Sequence, residues 1–136
     1  MTRSVTLTGL SGNQYQYEVY DTNVTWNPVP GNYVLAAHVG QTLLTEEWTP
    51  IYIGETGNFA TRRPGSSHEK WAEAQRYGAT HVMAHRNDGG EAARKAEETD
   101  LIRAYSPPAN SQGLRAIFAT ESSSDQAHRT TILTRS

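Results

Sequence analysis

This chain predicts a small α/β domain of the mixed α+β kind, with a largely antiparallel central sheet flanked by helices. Three observations lead there. Two alternating stretches, Val5–Thr8 and Tyr15–Tyr20, are separated by the turn Ser11–Gly12–Asn13, which is a hairpin pattern. Short apolar runs at Tyr33–Ala37, Ile51–Ile53 and Thr80–His85 follow, the first two joined by a local loop that favours antiparallel pairing. One long segment, Glu91 to about Tyr105, is rich in Ala, Glu, Lys and Arg, all strong helix formers. At 136 residues the chain is expected to be one domain, 1–136. Residues 1–30 form the hairpin and a linker, about 31–110 the central unit, and 111–136 a C-terminal extension.

Composition narrows the function classes. There is no cysteine, which excludes a disulfide framework and thiolate metal sites. No apolar run approaches the length of a membrane span, so no membrane partner is expected. Met1–Thr2–Arg3–Ser4 leads into an alternating stretch and not an apolar leader, and a cytoplasmic location is the expectation. The net charge is −2, but it is uneven. Residues 1–55 hold one Arg and five acids, whereas 56–136 hold eleven Lys or Arg and nine acids. The densest basic stretch is Arg62, Arg63, Lys70 and Arg76, which makes a small positive patch and not a long track for duplex DNA.

The elements follow in order. Tyr15, Tyr17 and Val19 share one strand face, either as sheet packing or as a platform for stacked bases. Asp21–Pro30 is an extended polar linker carrying Trp26, Pro28 and Pro30. A strand runs from Tyr33 to about His38, and Val39 through Trp48 reads as a loop. Thr49–Pro50 leads into the strand at Ile51. Gly54 and Gly57 bracket a turn, and Asn58 is a good N-cap for a helix from Phe59 that breaks at Pro64–Gly65. Ser66 or Ser67 can cap a second helical segment that puts His68, Trp71, Ala72 and Gln75 on one face and ends at Tyr77–Gly78. The long helix stops at Ser106–Pro107–Pro108. Beyond Asn110, strand-like stretches at Leu114–Thr120 and Arg129–Thr134 suggest a terminal hairpin.

A strand turning sharply into a helix places side chains of both around one concavity. Here those are Tyr52 and Arg62. A second Gly-x-Tyr, Gly31–Asn32–Tyr33, opens the preceding strand. On the long helix, Glu98 falls on the stripe of Leu101, Ile102 and Tyr105, so it is expected to point inward with them. A buried carboxylate needs a base, hydrogen bonds or a metal.

Taken together, these motifs resemble the GIY-YIG nuclease family. The first motif reads Gly31–Asn32–Tyr33, with Asn where Ile or Val is usual, and the second, Tyr52–Ile53–Gly54, is intact. Arg62 lies ten residues past Tyr52, where members carry a catalytic Arg. Glu97–Ile102 and then Pro107–Pro108–Ala109–Asn110 resemble the family's Glu-helix and its Pro-rich turn ending in Asn. The eighteen residues between the tyrosines exceed the gap in many members and imply a longer hairpin loop.

The resemblance implies a metal-dependent DNA endonuclease on that fold, with an added N-terminal hairpin. It implies Tyr33 as the base, directly or through Tyr52, Arg62 on the scissile phosphate, and Glu98 holding one Mg²⁺ or Mn²⁺. It implies His68 as a proton relay or phosphate contact and Asn110 as a side-chain amide that holds the site together. Arg63, Lys70 and Arg76 would contact nucleic acid, and Arg63 replaces Arg62 if the helix is phased one residue differently. The residues alone leave plainer readings open: core tyrosines, a Glu98–Arg62 ion pair, His68 packed on the helix, Asn110 as a turn residue. Glu55, after the second motif, either helps hold the metal or shapes the turn. His68, His81 and His85 show no metal-ligand spacing of a known kind. Single-stranded DNA is the expected substrate, because the basic patch is small while Tyr15, Tyr17, Tyr20, Trp26 and Trp48 offer stacking surfaces. A duplex-specific restriction or repair nuclease and a non-catalytic nucleic-acid-binding module are the alternatives. A monomer is expected.

Overall fold

The computed structural model describes residues 3–39 and 47–110. They form an α+β unit around a five-stranded, wholly antiparallel sheet. The strands are β1 (Arg3–Thr8), β2 (Gln14–Tyr20), β3 (Gly31–Val39), β4 (Glu47–Thr56) and β5 (His81–Arg86), in the spatial order β1-β2-β5-β3-β4. The helices are α1 (Phe59–Arg62), α2 (Trp71–Arg76) and α3 (Glu91–Tyr105), with a 3₁₀ turn at Pro108–Asn110. No described helix is long and apolar enough to cross a membrane. The loop expected after Val39 lies in part, and the strands expected after Asn110 lie wholly, outside the described residues.

Each face of the sheet has its own core. One side packs Tyr17, Val19, Val34, Ile53 and Met83 against Leu101 of α3. The other packs Leu35, Ile51 and Val82 against Ala74 of α2, Ala79 and Ala109. A small third cluster, Tyr33, Phe59 and Ala84, sits where α1 meets the sheet. β3 is an inner strand between β5 and β4 and is buried on both faces, so its sequence is a continuous apolar run instead of an alternating one.

Four local expectations change. β4 begins at Glu47, so Trp48 is a strand residue and not part of a loop. Pro50 is tolerated there because β4 is an edge strand and the register slips between Leu35 and Ala36. Gly54 stays in the strand opposite Tyr33, and the chain turns only at Gly57–Asn58, where the Asn58 side chain caps the Ala60 N–H at 2.9 Å. Helix α2 starts at Trp71, with no side-chain cap from Ser66 or Ser67. Ser66 instead bonds the Thr22 carbonyl, and His68 lies in the turn before the helix.

The stacking platform is also corrected. Tyr17 is fully buried and Tyr15 bonds Asp100. Tyr20 packs edge-on against Trp26, which stacks on Phe59. Trp48 stacks on His38 at 4.3 Å, with His81 against its edge. Tyr17 is thus closed to a ligand, and the other four rings, all half-buried, each commit a face, an edge or a hydroxyl to these contacts.

The acid that α3 buries is Glu97, one residue from the one expected. Glu97 is 4% exposed and accepts hydrogen bonds from the Tyr17 hydroxyl, from Asn87 at 3.1 Å and from His85 Nε2 at 2.9 Å. Asn87 also donates to the buried Asn32, whose amide donates to the Arg94 carbonyl of α3. Asn32, the departure from the usual apolar residue, is therefore a polar staple docking α3 on β3. We expect Glu97→Ala to cost about 3 kcal/mol, because it strands the buried Tyr17 hydroxyl and the half-buried His85 and Asn87 donors at once. Urea melts of the two proteins check this.

Candidate active site

Tyr33 and Tyr52 point from adjacent strands to the same side of the sheet. Tyr33 pairs with Gly54 and Leu35 with Tyr52, which makes the two tyrosines diagonal neighbours. Their rings lie 6.3 Å apart, and the His68 ring stands 5.3 Å from the first and 5.6 Å from the second. Gly54 makes this packing possible. A Cβ there would lie 2.4 Å from the Tyr33 ring. Gly54→Ala is expected to displace Tyr33 and to cost about 1–3 kcal/mol in stability, with any activity falling alongside. A thermal melt paired with near-UV circular dichroism of the tyrosines tests it.

The Tyr33 hydroxyl is the centre of the cluster. Arg62, in the last turn of α1, donates from Nε at 3.2 Å, and His68 Nε2 lies at 2.8 Å. The tautomer of His68 is set on its other side. Nδ1 accepts the Lys70 backbone N–H at 2.9 Å, so the ring proton sits on Nε2 and is donated to Tyr33. The phenol oxygen thus accepts two hydrogen bonds, and its own proton must be directed elsewhere.

Burial, reinforced by the neighbouring Arg62 charge, holds the His68 pKa down to about 4. The sign follows directly. Between about 6.5 and 4 the unfolded chain takes up a proton that the folded chain refuses, so stability falls as pH drops through that window. The ceiling is about 3 kcal/mol. His68→Gln should flatten this part of the stability–pH curve, measured as the difference between wild-type and variant urea midpoints from pH 7 to 4.5.

Burial raises the pKa of both tyrosines above the ordinary phenol range. For Tyr33 the Arg62 hydrogen bond opposes that, and the charges of Tyr52 and Glu98 add to it. For Tyr52, Arg62 and Lys70 oppose it and Glu98 adds to it. Glu98 is therefore within electrostatic reach of both. It is half-buried and has neither a hydrogen bond nor an ion pair among the described residues. Burial first, and then the charge of Glu55, raise its own pKa. An ion pair between Glu98 and Arg62 does not form. Arg62 turns its outer nitrogens to Glu69, both at 3.4 Å. Glu55 is held by Arg94 at 2.9 Å and Lys95 at 3.2 Å.

Asn110 acts on the backbone. Its side-chain oxygen accepts the Ile53 N–H at 2.8 Å and its amide donates to the Ile53 carbonyl at 3.2 Å. It mimics one more strand on the open edge of β4, beside Tyr52, and so positions the site. Lys70 lies 6.0 Å from the centre of the Tyr52 ring and pairs with Glu73. Arg63 turns away into the left-handed region, φ 51°, and lines a separate cavity. Arg76 is exposed at the end of α2, apart from the cluster. Glu69 is the member that sequence reasoning missed, and its distance of seven residues from Arg62 across a helix break carries no periodic signal.

Among the described residues no three His, Cys, Asp or Glu side chains gather as a metal cage, and His68, His81 and His85 serve different partners. A hard divalent cation beside phosphates needs only one or two carboxylates, its remaining positions being water and substrate oxygens. Glu98, unpaired and charge-strained, fits that requirement. Comparison of the chain with protein-family models, curated proteins and solved structures finds no match.

Proposed function

We propose that this chain is a metal-dependent DNA endonuclease of the GIY-YIG type, cleaving phosphodiester bonds and preferring single strands. One observation carries the reading. A phenol, Tyr33, is held by an arginine and a neutral histidine beside a second phenol and an unpaired carboxylate.

Arg62 reaches Tyr33 through Nε and leaves its two outer nitrogens on a long, exposed pair with Glu69. Such pairs contribute little, and a phosphodiester can replace the carboxylate on the same planar edge. There Arg62 neutralises the charge that builds on the phosphoryl oxygens in the transition state. Tyr33, as phenolate, takes a proton from the attacking water, and the two donors on its oxygen stabilise that anion. His68 stays neutral and orients the ring, while Asn110 keeps the Tyr52 strand in place. A divalent cation on Glu98 would supply Lewis-acid stabilisation of the leaving 3′-oxygen and would cancel the charge that raises both phenols.

The test is incubation of one end-labelled oligonucleotide, as a single strand and as its own duplex, with Mg²⁺, with Mn²⁺ and with chelator. Metal-dependent cleavage, faster on the single strand, is the expected result. No cleavage under any condition would return the chain to a binding module, and faster duplex cleavage would restore the restriction or repair reading.

A further inference from the structure

The linker Asp21–Pro30 and the connection from α1 to α2 border a half-open cavity of about 320 Å³. Its lining includes Asn23, Thr25, Trp26, Arg63, Ser66 and Ser67. The walls are fixed from both sides. Trp26 stacks on Phe59 at 4.9 Å and its indole N–H donates to the Pro64 carbonyl at 2.9 Å. Ser66 is tied to the Thr22 carbonyl through its backbone N–H at 3.0 Å and its hydroxyl at 3.2 Å. Gly65 permits that contact, since a Cβ there would lie 2.4 Å from the Thr22 carbonyl oxygen. The cavity is thus a preformed part of the fold.

Its lining is mostly polar, with one aromatic ring and one cation. The size falls at the lower end of the range of small-molecule pockets. Asn23, Thr25 and Ser67 supply neutral donors and acceptors that suit a base edge, and the indole supplies an aromatic wall. Arg63 adds a cation with no acidic partner among the described residues, whereas Arg62 faces Glu69 and Lys70 faces Glu73. The left-handed backbone at Arg63 separates two consecutive arginines, one turned to Tyr33 and the other to the cavity.

We propose that this cavity receives one unpaired nucleotide flanking the scissile phosphate, its base among the polar side chains and its phosphate on Arg63. The proposal rests on the nuclease reading and gives it a substrate filter. A paired, stacked base must leave the helix to enter, whereas a base in a single strand enters without that cost. Strand preference then comes from this cavity and not from the rings of the N-terminal hairpin, of which Tyr17 is fully buried and Tyr15 and Tyr20 are half-buried with their hydroxyls on Asp100 and Glu18.

The experiment measures affinity with no metal present, so that binding is read apart from cleavage. Fluorescence anisotropy is recorded for one labelled single strand and its duplex on wild type, Arg63→Gln and the cavity-filling Asn23→Trp. Circular dichroism confirms that each variant is folded. Both variants should weaken single-strand binding about tenfold or more and leave duplex binding within about twofold. If wild type binds and cuts DNA but both variants bind the single strand as wild type does, the cavity takes no nucleotide while the nuclease reading stands. Equal weakening on both substrates would make Arg63 an ordinary backbone contact and overturn the proposal. If wild type binds neither form, the nuclease reading falls and this proposal with it.

Discussion

Glu98→Gln should abolish cleavage while the fold holds or gains stability. The two halves of that expectation have one cause. Glu98 is half-buried, lacks a partner, and is made harder to ionise by its surroundings and by Glu55. Its folded pKa is raised, so in the wild type a stabilising contribution present at low pH is lost as pH rises through that value. Gln carries no charge and escapes the loss, but it also removes the ligand proposed for the cation. A residue that costs stability and is needed for rate marks a functional site. Thermal melts at pH 7 and single-turnover cleavage in Mg²⁺ read the two effects separately. A variant that cuts at near the wild-type rate would show that the metal is held elsewhere or not required.

Arg62→Ala should lower the cleavage rate by roughly 10²–10³-fold, the usual loss when a donor to transition-state charge is removed. Substrate affinity should fall much less, because Arg63 and Lys70 remain. The same substitution takes one of two hydrogen bonds from the Tyr33 hydroxyl. The base should therefore ionise less readily, and the rising limb of the rate–pH profile should move to higher pH. That displacement separates a role in tuning Tyr33 from simple phosphate binding. A full loss in Arg63→Ala with Arg62→Ala unaffected would assign the catalytic role to the other arginine.

Much of the scaffold is local and therefore legible in the chain. Asn58 caps α1 because its side chain is the right length for a donor two residues on. Pro64 ends the helical stretch, and Ser106–Pro107–Pro108 stops α3 close to where a reader would end it. The nearness of Tyr33 and Tyr52 follows from two consecutive strands that pair antiparallel, whereas their diagonal offset and the reach of Asn110 to Ile53 are set by the closed sheet.

What escaped was set by partners distant in the chain. Helix α3 is so rich in Ala, Glu, Lys and Arg that only Leu101, Ile102 and Tyr105 mark its phase, and one residue of error rotates the helix by about 100°. Tyr17, His85 and Asn87, on two other strands and a loop, choose Glu97 as the buried acid and leave Glu98 half-exposed and unpaired. Likewise, no periodicity reveals that Trp26 and Trp48 find stacking partners, or that His68 works from a turn instead of a helix face. The sequence by itself determined where the N-terminal hairpin turns, where α1 is capped and where α1 and α3 end, because those depend on neighbours within a few residues. The tertiary structure alone decided which acid is buried, which proton His68 carries and which arginine reaches Tyr33, because burial and hydrogen bonding are fixed by side chains that meet only when the sheet has closed.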